Sequence, residues 1–403
     1  MIKFTSILVL LTSFSIRLTF GQDPVSCNPS YLPSNWKLIG PVDDYTVSNM
    51  GRAISVWVSP NNPQYILLGT RASGLWKSTD GGANWSNLTG FQLPACGVQG
   101  IAVYDNGTPL ANDDRIYLAT QFLGTEINEY SVGIAFSNNN GISWQYDYSM
   151  DIDPSLVGHP FTRTGNIGSM HLFLKPGSSD LYVLNGPNIY VKNLTTSDWT
   201  FFKTLDDFTT GSQHYSSEID FLPENPNFQV ISSIGGSTSD VYYTPNAGLT
   251  WLPVPTPAAP VPPPGSTLVD FKCSAVCANA TTMYIYYCFS FDAGTDITIS
   301  YLYQYDVSNP FSISIANTHD ISGLTSGYYA DDNLYELREL LVCPDALDMC
   351  FIRRAQGELF KADLPNSSDP IVFYTASRYY GANTHADIRA MAYYQSDIED
   401  YIF

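Results

Sequence analysis

Apolar and aromatic residues in this chain fall in short runs separated by Gly, Pro, Asn and Asp. That pattern predicts many short strands joined by tight turns, not packed helices. First strands of successive units are predicted at Ala53-Ile54-Ser55-Val56-Trp57-Val58, Gly100-Ile101-Ala102-Val103-Tyr104 and Met170-His171-Leu172-Phe173-Leu174. Further ones follow at Ile219-Asp220-Phe221-Leu222, at Leu268-Val269-Asp270-Phe271 and at residues 337–342. A second strand comes after a short turn, as Tyr65-Ile66-Leu67-Leu68-Gly69 comes after Asn61-Asn62-Pro63-Gln64.

Three later runs, Gly74-Leu75-Trp76-Lys77, Gly133-Ile134-Ala135-Phe136 and Asp240-Val241-Tyr242-Tyr243, each lead into one pattern, Ser/Thr-x-Asp/Asn-x-Gly-x-x-Trp. Its members are Ser78, Asp80, Gly82 and Trp85, then Ser137, Asn139, Gly141 and Trp144, then Thr244, Asn246, Gly248 and Trp251. Trp85 and Trp144 are 59 residues apart, and the next interval is nearly double. A degenerate copy fills the gap, because Ile189-Tyr190-Val191-Lys192 leads to Trp199, and the steps become 59, 55 and 52. Two fainter copies have lost both Gly and Trp: Tyr303-Gln304-Tyr305 before Phe311, and Leu359-Phe360-Lys361 before Phe373. A repeat of this length, with four strand positions in each unit, predicts an all-β propeller of four-stranded antiparallel blades.

The chemistry of the pattern is that of a turn between the third and fourth strands. The Asp or Asn oxygen bonds amides of its own turn. The Gly accepts positive φ, and the Trp packs back on the hairpin. Asn replaces Asp because the acceptor oxygen is what the turn needs. A catalytic role for Asp80 is therefore not expected.

About seven blades are predicted, six complete and one shared or incomplete. Ala390-Met391-Ala392-Tyr393-Tyr394 and Tyr401-Ile402-Phe403 repeat the start of a blade, and Asn35-Trp36-Lys37-Leu38-Ile39 reads as an outer strand with Trp36 in the Trp position. Such a propeller closes by completing one blade from both ends, which removes exposed sheet edges. A third strand for that blade is not apparent. This leaves three readings: a fragment of a longer protein, an imperfect closure, or six blades with both ends at the edge. The Pro-rich stretch Pro253 to Pro264 reads as a surface loop between the fourth and fifth units.

Composition narrows the partners. A hydrophobic share of 44% across 403 residues supports a large core. The net charge of −20 repels phosphate backbones, so nucleic acid is not an expected partner. No cofactor is expected. The acidic surface is compatible with weak binding of Ca²⁺. Lys3 followed by the apolar Ile7 to Ile16 and small residues near Gly21 reads as a signal peptide over residues 1–22, leaving 23–403 as one propeller domain. Arg17 interrupts the run, so stable membrane insertion is not expected.

The reading is therefore of a secreted, extracellular or cell-surface protein. Disulfides are then the default for its cysteines, with Cys343–Cys350 and one pair among Cys273, Cys277 and Cys288 as candidates. No ligand set for a metal is apparent. Glycosylation triplets such as Asn87-Leu88-Thr89 and Asn193-Leu194-Thr195 matter if the source glycosylates.

Ser78 to Trp85 after Gly-Leu-Trp-Lys, together with Met50-Gly51-Arg52-Ala53, the turn Ser59-Pro60-Asn61-Asn62-Pro63 and Thr384-His385-Ala386-Asp387-Ile388-Arg389, resembles the sortilin-like, BNR or Asp-box propellers of exported bacterial proteins. The likeness covers roughly residues 34 to 403 and speaks for the fold more than for an activity. Glycosidases of this fold need paired carboxylates across a cleft. The resemblance to sialidases lacks their Arg-Ile-Pro segment, and the xyloglucanase-like Asp position in the second strand is occupied near Arg71.

Residues entering the inner strands mark the ligand face: Arg52, Glu218, Asp220, Arg338, Glu339, His385, Asp387 and Arg389. Glu218, Asp387 and His385 are the candidates for acid/base work, and an ion-paired ring lining the channel is the alternative. The favoured reading is a non-catalytic module that binds extracellular polysaccharide or protein. A glycoside hydrolase of sialidase or xyloglucanase type and a peptide binder are the alternatives.

Overall fold

The computed structural model describes most of residues 53–322, less several segments between strands, and beyond them the strands lying between 340 and 402. The first four-stranded sheet holds β1 (Ala53–Ser59), β2 (Asn62–Thr70), β3 (Leu75–Ser78) and β4 (Ser86–Asn87). The second holds β5 (Gly97–Tyr104), β6 (Arg115–Leu123), β7 (Glu129–Ser137) and β8 (Gln145–Asp147). The third holds β9 (His171–Leu174), β10 (Asp180–Asn185), β11 (Asn188–Asn193) and β12 (Trp199–Thr204). In the fourth are β13 (Tyr215–Leu222), β14 (Asn225–Ile234), β15 (Asp240–Thr244) and β16 (Leu252–Pro253). The fifth contains β17 (Thr267–Asn279), β18 (Thr282–Asp292), β19 (Asp296–Asp306) and β20 (Ser314–Asp320). The sixth contains β21 (Leu340–Val342), β22 (Met349–Arg353), β23 (Leu359–Asp363) and β24 (Val372–Ser377). A two-stranded sheet, β25 (Tyr393–Tyr394) with β26 (Tyr401–Ile402), follows.

Every sheet is an antiparallel meander in chain order, and the first strands of successive sheets are neighbours, from β1 through β5, β9, β13 and β17 to β21. β25 lies beside β1, so the last described sheet meets the first. The chain is an all-β propeller.

Blade stacking explains why the middle strands are apolar without alternation. Each blade is covered on both faces, so both sets of side chains are buried. In β6, Ile116 and Leu118 pack into the seam with the first blade, whereas Tyr117 and Ala119 pack into the seam with the third. Tyr182 and Leu184 of the third blade meet Ile219 and Phe221 of the fourth. The largest described seam joins the fourth and fifth blades, with Phe228, Val230 and Tyr243 against Ile285, Tyr287 and Phe289.

β17 runs 13 residues where a run of four is predicted, because its ladder with β18 continues from Leu268 down to Cys277. That ladder corrects a disulfide expectation. Cys273 and Cys277 are four residues apart on one strand, about 13 Å at the rise of a strand. A disulfide needs Cα atoms within about 7 Å. The backbone of Cys288 pairs with Lys272, not with either cysteine. Neither Cys273 nor Cys277 forms a disulfide, and both are buried. Burial in an apolar seam is an ordinary setting for a thiol. Cys343 lies outside the described residues, as do residues 1–22 and Trp36, so the Cys343–Cys350 pair is not described.

Candidate functional site

Two features organise the functional geometry: the repeated turns on one rim and the inner strands around the centre. In the first turn, the Ser78 hydroxyl donates to Asp80 Oδ1 (2.9 Å) and accepts from Gly82 N (2.8 Å). Asn84 donates from its backbone to Asp80 Oδ1 and from its side chain to Asp80 Oδ2, at 2.8 and 2.6 Å. These bonds, led by the Asn84 side-chain amide, hold the Asp80 carboxyl below its ordinary range. The second turn repeats the set with Ser137, Asn139, Gly141 and Ser143. The third repeats it with Thr244, Asn246, Gly248 and Thr250.

Two consecutive residues adopt positive φ in each turn: Gly81 and Gly82 (68° and 88°), Asn140 and Gly141 (53° and 83°), Ala247 and Gly248 (55° and 89°). The first of each pair carries no signature in the pattern, which explains why Ala is found there once.

The turns are seams as well as hairpin ends. The Trp85 indole donates to Gly82 O within its own turn (2.9 Å). Trp144 Nε1 donates to Gly141 O (3.1 Å) and also reaches Leu88 O of the preceding blade (3.0 Å). Trp199 donates to Asp147 Oδ2 of the second blade (3.0 Å), and Lys192 Nζ sits 2.5 Å from the same oxygen and over the Trp199 ring. Trp251 packs edge-on against Phe202 of the third blade.

In the fifth blade, Asp306 replaces the turn's Ser and its carboxylate accepts from Ser308 N (2.9 Å). The side chain predicted to stand for the Trp, Phe311, is 63% exposed, whereas Ile313 is buried in the seam. Ile313 is the true positional counterpart of the Trp, seven residues after Asp306.

The first strands of neighbouring blades are tied to one another by buried and partly buried polar side chains. Ser55 on β1 donates to Val98 O on β5 (2.8 Å). Gly69 makes this approach feasible: a Cβ there would stand 2.0 Å from Ser55 Oγ and 2.5 Å from Val98 O. Gln99 Oε1 accepts from Met170 N at the start of the third blade (3.0 Å). Glu218 on β13 is 3% exposed and accepts from Ser274 Oγ on β17 (3.2 Å). Asp220 accepts from Cys277 N of the same neighbouring strand (2.9 Å) and from Phe221 N (2.9 Å).

The structure thus brings Glu218 and Asp220 together on one strand, both directed at the fifth blade. Arg52, Arg338, Glu339, His385, Asp387 and Arg389 lie outside the described residues. Ser55, Gln99 and Ser274 carry no motif. Their only sequence signal is a polar residue inside an apolar run. Arg71 is half-buried in the β2–β3 turn, which Thr70 holds through bonds to Ser73 N and Gly74 O. Among the described residues, no three His, Cys, Asp or Glu side chains gather as a metal site, and no helix is long and apolar enough to cross a membrane.

The class defined by this fold is the β-propeller, and comparison with known proteins agrees. A probable oligoxyloglucan-reducing end-specific xyloglucanase of Neosartorya fischeri is 26% identical over 236 residues, which is 52% of this chain and 27% of that protein. The chain therefore spans well under a third of that relative. YCF48 from Cyanidioschyzon merolae superposes with a TM-score of 0.50 at 11% identity, covering 86% of this chain and 91% of that one. The GH74 enzyme of Niastella koreensis matches 80% of this chain and 56% of its own, at 14% identity and a TM-score of 0.36. No family profile matches the chain.

Proposed function

We propose that this chain is an extracellular propeller module that binds polysaccharide and does not use Glu218 or Asp220 for hydrolysis. The observation that carries this reading is the engagement of both carboxylates by the fifth blade. Glycoside hydrolysis needs two carboxyl groups facing each other across a sugar. Here the two groups stand on one strand and serve one seam. The extracellular placement rests on the signal-peptide reading of residues 1–22. The likeness to a xyloglucanase over about half the chain supports xyloglucan oligosaccharides as the first ligands to try.

That same likeness favours one second reading, in which the chain hydrolyses xyloglucan through residues outside the described set. Both are tested by one experiment: affinity electrophoresis in xyloglucan, with mass spectrometry of the oligosaccharides after incubation. Retarded migration with unchanged oligosaccharides is the expected result. Turnover that Glu218→Gln or Asp387→Asn abolishes would overturn the binding reading. Neither retardation nor turnover, with retention of a peptide from culture supernatant, would favour the peptide binder.

A further inference from the structure

We propose that residues 260–264 form a docking ridge for a second protein, one whose aromatic-lined groove takes a polyproline II helix. The chain is here the ligand, so the site is separate from any that holds a polysaccharide or a peptide. The segment lies in the connection from β16, the outer strand of the fourth blade, to β17, the first strand of the fifth.

Its sequence, Pro-Val-Pro-Pro-Pro, dictates the conformation. Pro260, Pro262, Pro263 and Pro264 have φ fixed close to that of polyproline II. Val261, Pro262 and Pro263 each precede a proline, which disfavours the helical region for them. Residues 260–263 are accordingly neither helix nor strand. A polyproline II helix repeats about every three residues. Burial follows that period, because Pro260 and Pro263 are half-buried whereas Val261, Pro262 and Pro264 are exposed. One edge therefore rests on the protein and the others face solvent, with Val261 87% exposed.

A turn fixes the far end. Pro263 O accepts from Ser266 N (3.0 Å) and from Ser266 Oγ (2.7 Å), and Gly265 between them has a φ of 82°. Proline then glycine at the central positions, with that φ, makes a type II turn. Among the described residues, no hydrogen bond reaches the carbonyls of Pro260, Val261 or Pro262.

These features specify the partner. Flat proline rings beside open carbonyl acceptors match a groove of Trp and Tyr, whose rings pack on them and whose N–H or O–H donate. The ridge is held in the bound shape before contact, so docking costs little ordering entropy. No charged residue lies between Leu252 and Val269. Despite the net charge of −20, the contact is therefore made without ion pairs and should resist salt. Stiffness alone is supplied by the proline rings and does not call for Val261, an apolar side chain held almost wholly in water.

The test passes the full chain over immobilised WW, SH3 and EVH1 domains, which hold polyproline II in aromatic grooves, and reads affinity by surface plasmon resonance. Binding to at least one domain is expected, tighter than about 1 mM. It should change less than about twofold when NaCl rises from about 0.05 to about 0.5 M. Val261→Asp and Pro262→Gly, both at exposed positions, should each weaken it at least about tenfold. Val261→Asp should keep the parent's melting temperature and its migration in xyloglucan. If Pro262→Gly loosens the connection, Val261→Asp decides. No binding to any of the domains, binding that Val261→Asp leaves unchanged, or binding that fades with salt overturns the proposal. Self-association that Val261→Asp abolishes, with no domain bound, would overturn it in favour of a second copy on the ridge. A failed polysaccharide-binding experiment leaves the outcome unaffected.

Discussion

The indole of Trp144 donates to the carbonyl of Leu88, 56 residues earlier and one blade away. The repeated turn therefore joins neighbouring blades as well as closing its own hairpin. Trp144→Phe keeps the ring and removes the donor to Leu88 O and Gly141 O, at an expected cost of about 1–2 kcal/mol. The same change at the half-exposed Trp85 should cost less. Urea unfolding of the two variants checks the difference.

Gly248 and Gly81 share positive φ but differ in surroundings. A Cβ at Gly248 would stand 2.3 Å from Phe202 Cζ, whereas nothing lies within 4 Å of one at Gly81. Gly81→Ala should cost only the left-handed strain, about 1–2 kcal/mol. Gly248→Ala should cost about 1–3 kcal/mol more, because the Phe202 ring must move. Equal losses would refute the seam contact.

Ala247 holds φ at 55°, the left-handed region, where Gly81 and Asn140 stand in the other turns. Ala247→Gly is expected to stabilise the protein by about 0.5–1 kcal/mol, relief of strain outweighing the entropy gained by the unfolded chain. A melting temperature at or below that of the parent chain would contradict this.

Lys192 and Asp147 form a pair whose side chains are 12% and 6% exposed, with Trp199 donating to the same oxygen. Lys192→Met leaves the carboxylate buried without its cation and should cost about 3 kcal/mol. Adding Asp147→Asn should recover part of that loss. A double-mutant cycle measures the coupling.

Asp80 has a pKa lowered in the fold, chiefly by the Asn84 side chain. Such a group contributes stability that is present above the unfolded carboxylate value, near 4, and is lost as pH falls through the folded value. Asp80→Asn should keep the turn, since Asn139 accepts the equivalent bonds, but should lower stability at neutral pH, where the charged carboxylate contributes. It should flatten the acid decline below about pH 4. Melting curves from neutral to acid pH, parent against variant, show whether the gap narrows in that window.

The turn chemistry was legible in the sequence because its partners are at most four residues apart, as Ser78 and Gly82 are. The blade repeat was legible because each unit carries its own strands and its own turn. The seams were not. Ser55 bonds Val98, 43 residues away, and Glu218 bonds Ser274, 56 away. Which residues meet there depends on how one blade stacks on the next, and an isolated polar residue in an apolar strand does not name its partner. The same stacking put Ile313, not Phe311, in the buried position of the fifth turn, while the extended β17–β18 ladder within the fifth blade held Cys273 and Cys277 too far apart to join. By itself the sequence determined that this chain is a ring of four-stranded units with a shared turn. Only the tertiary structure decided that the Trp of that turn fastens one unit to the one before it, because that contact exists only after two separately encoded sheets pack face to face.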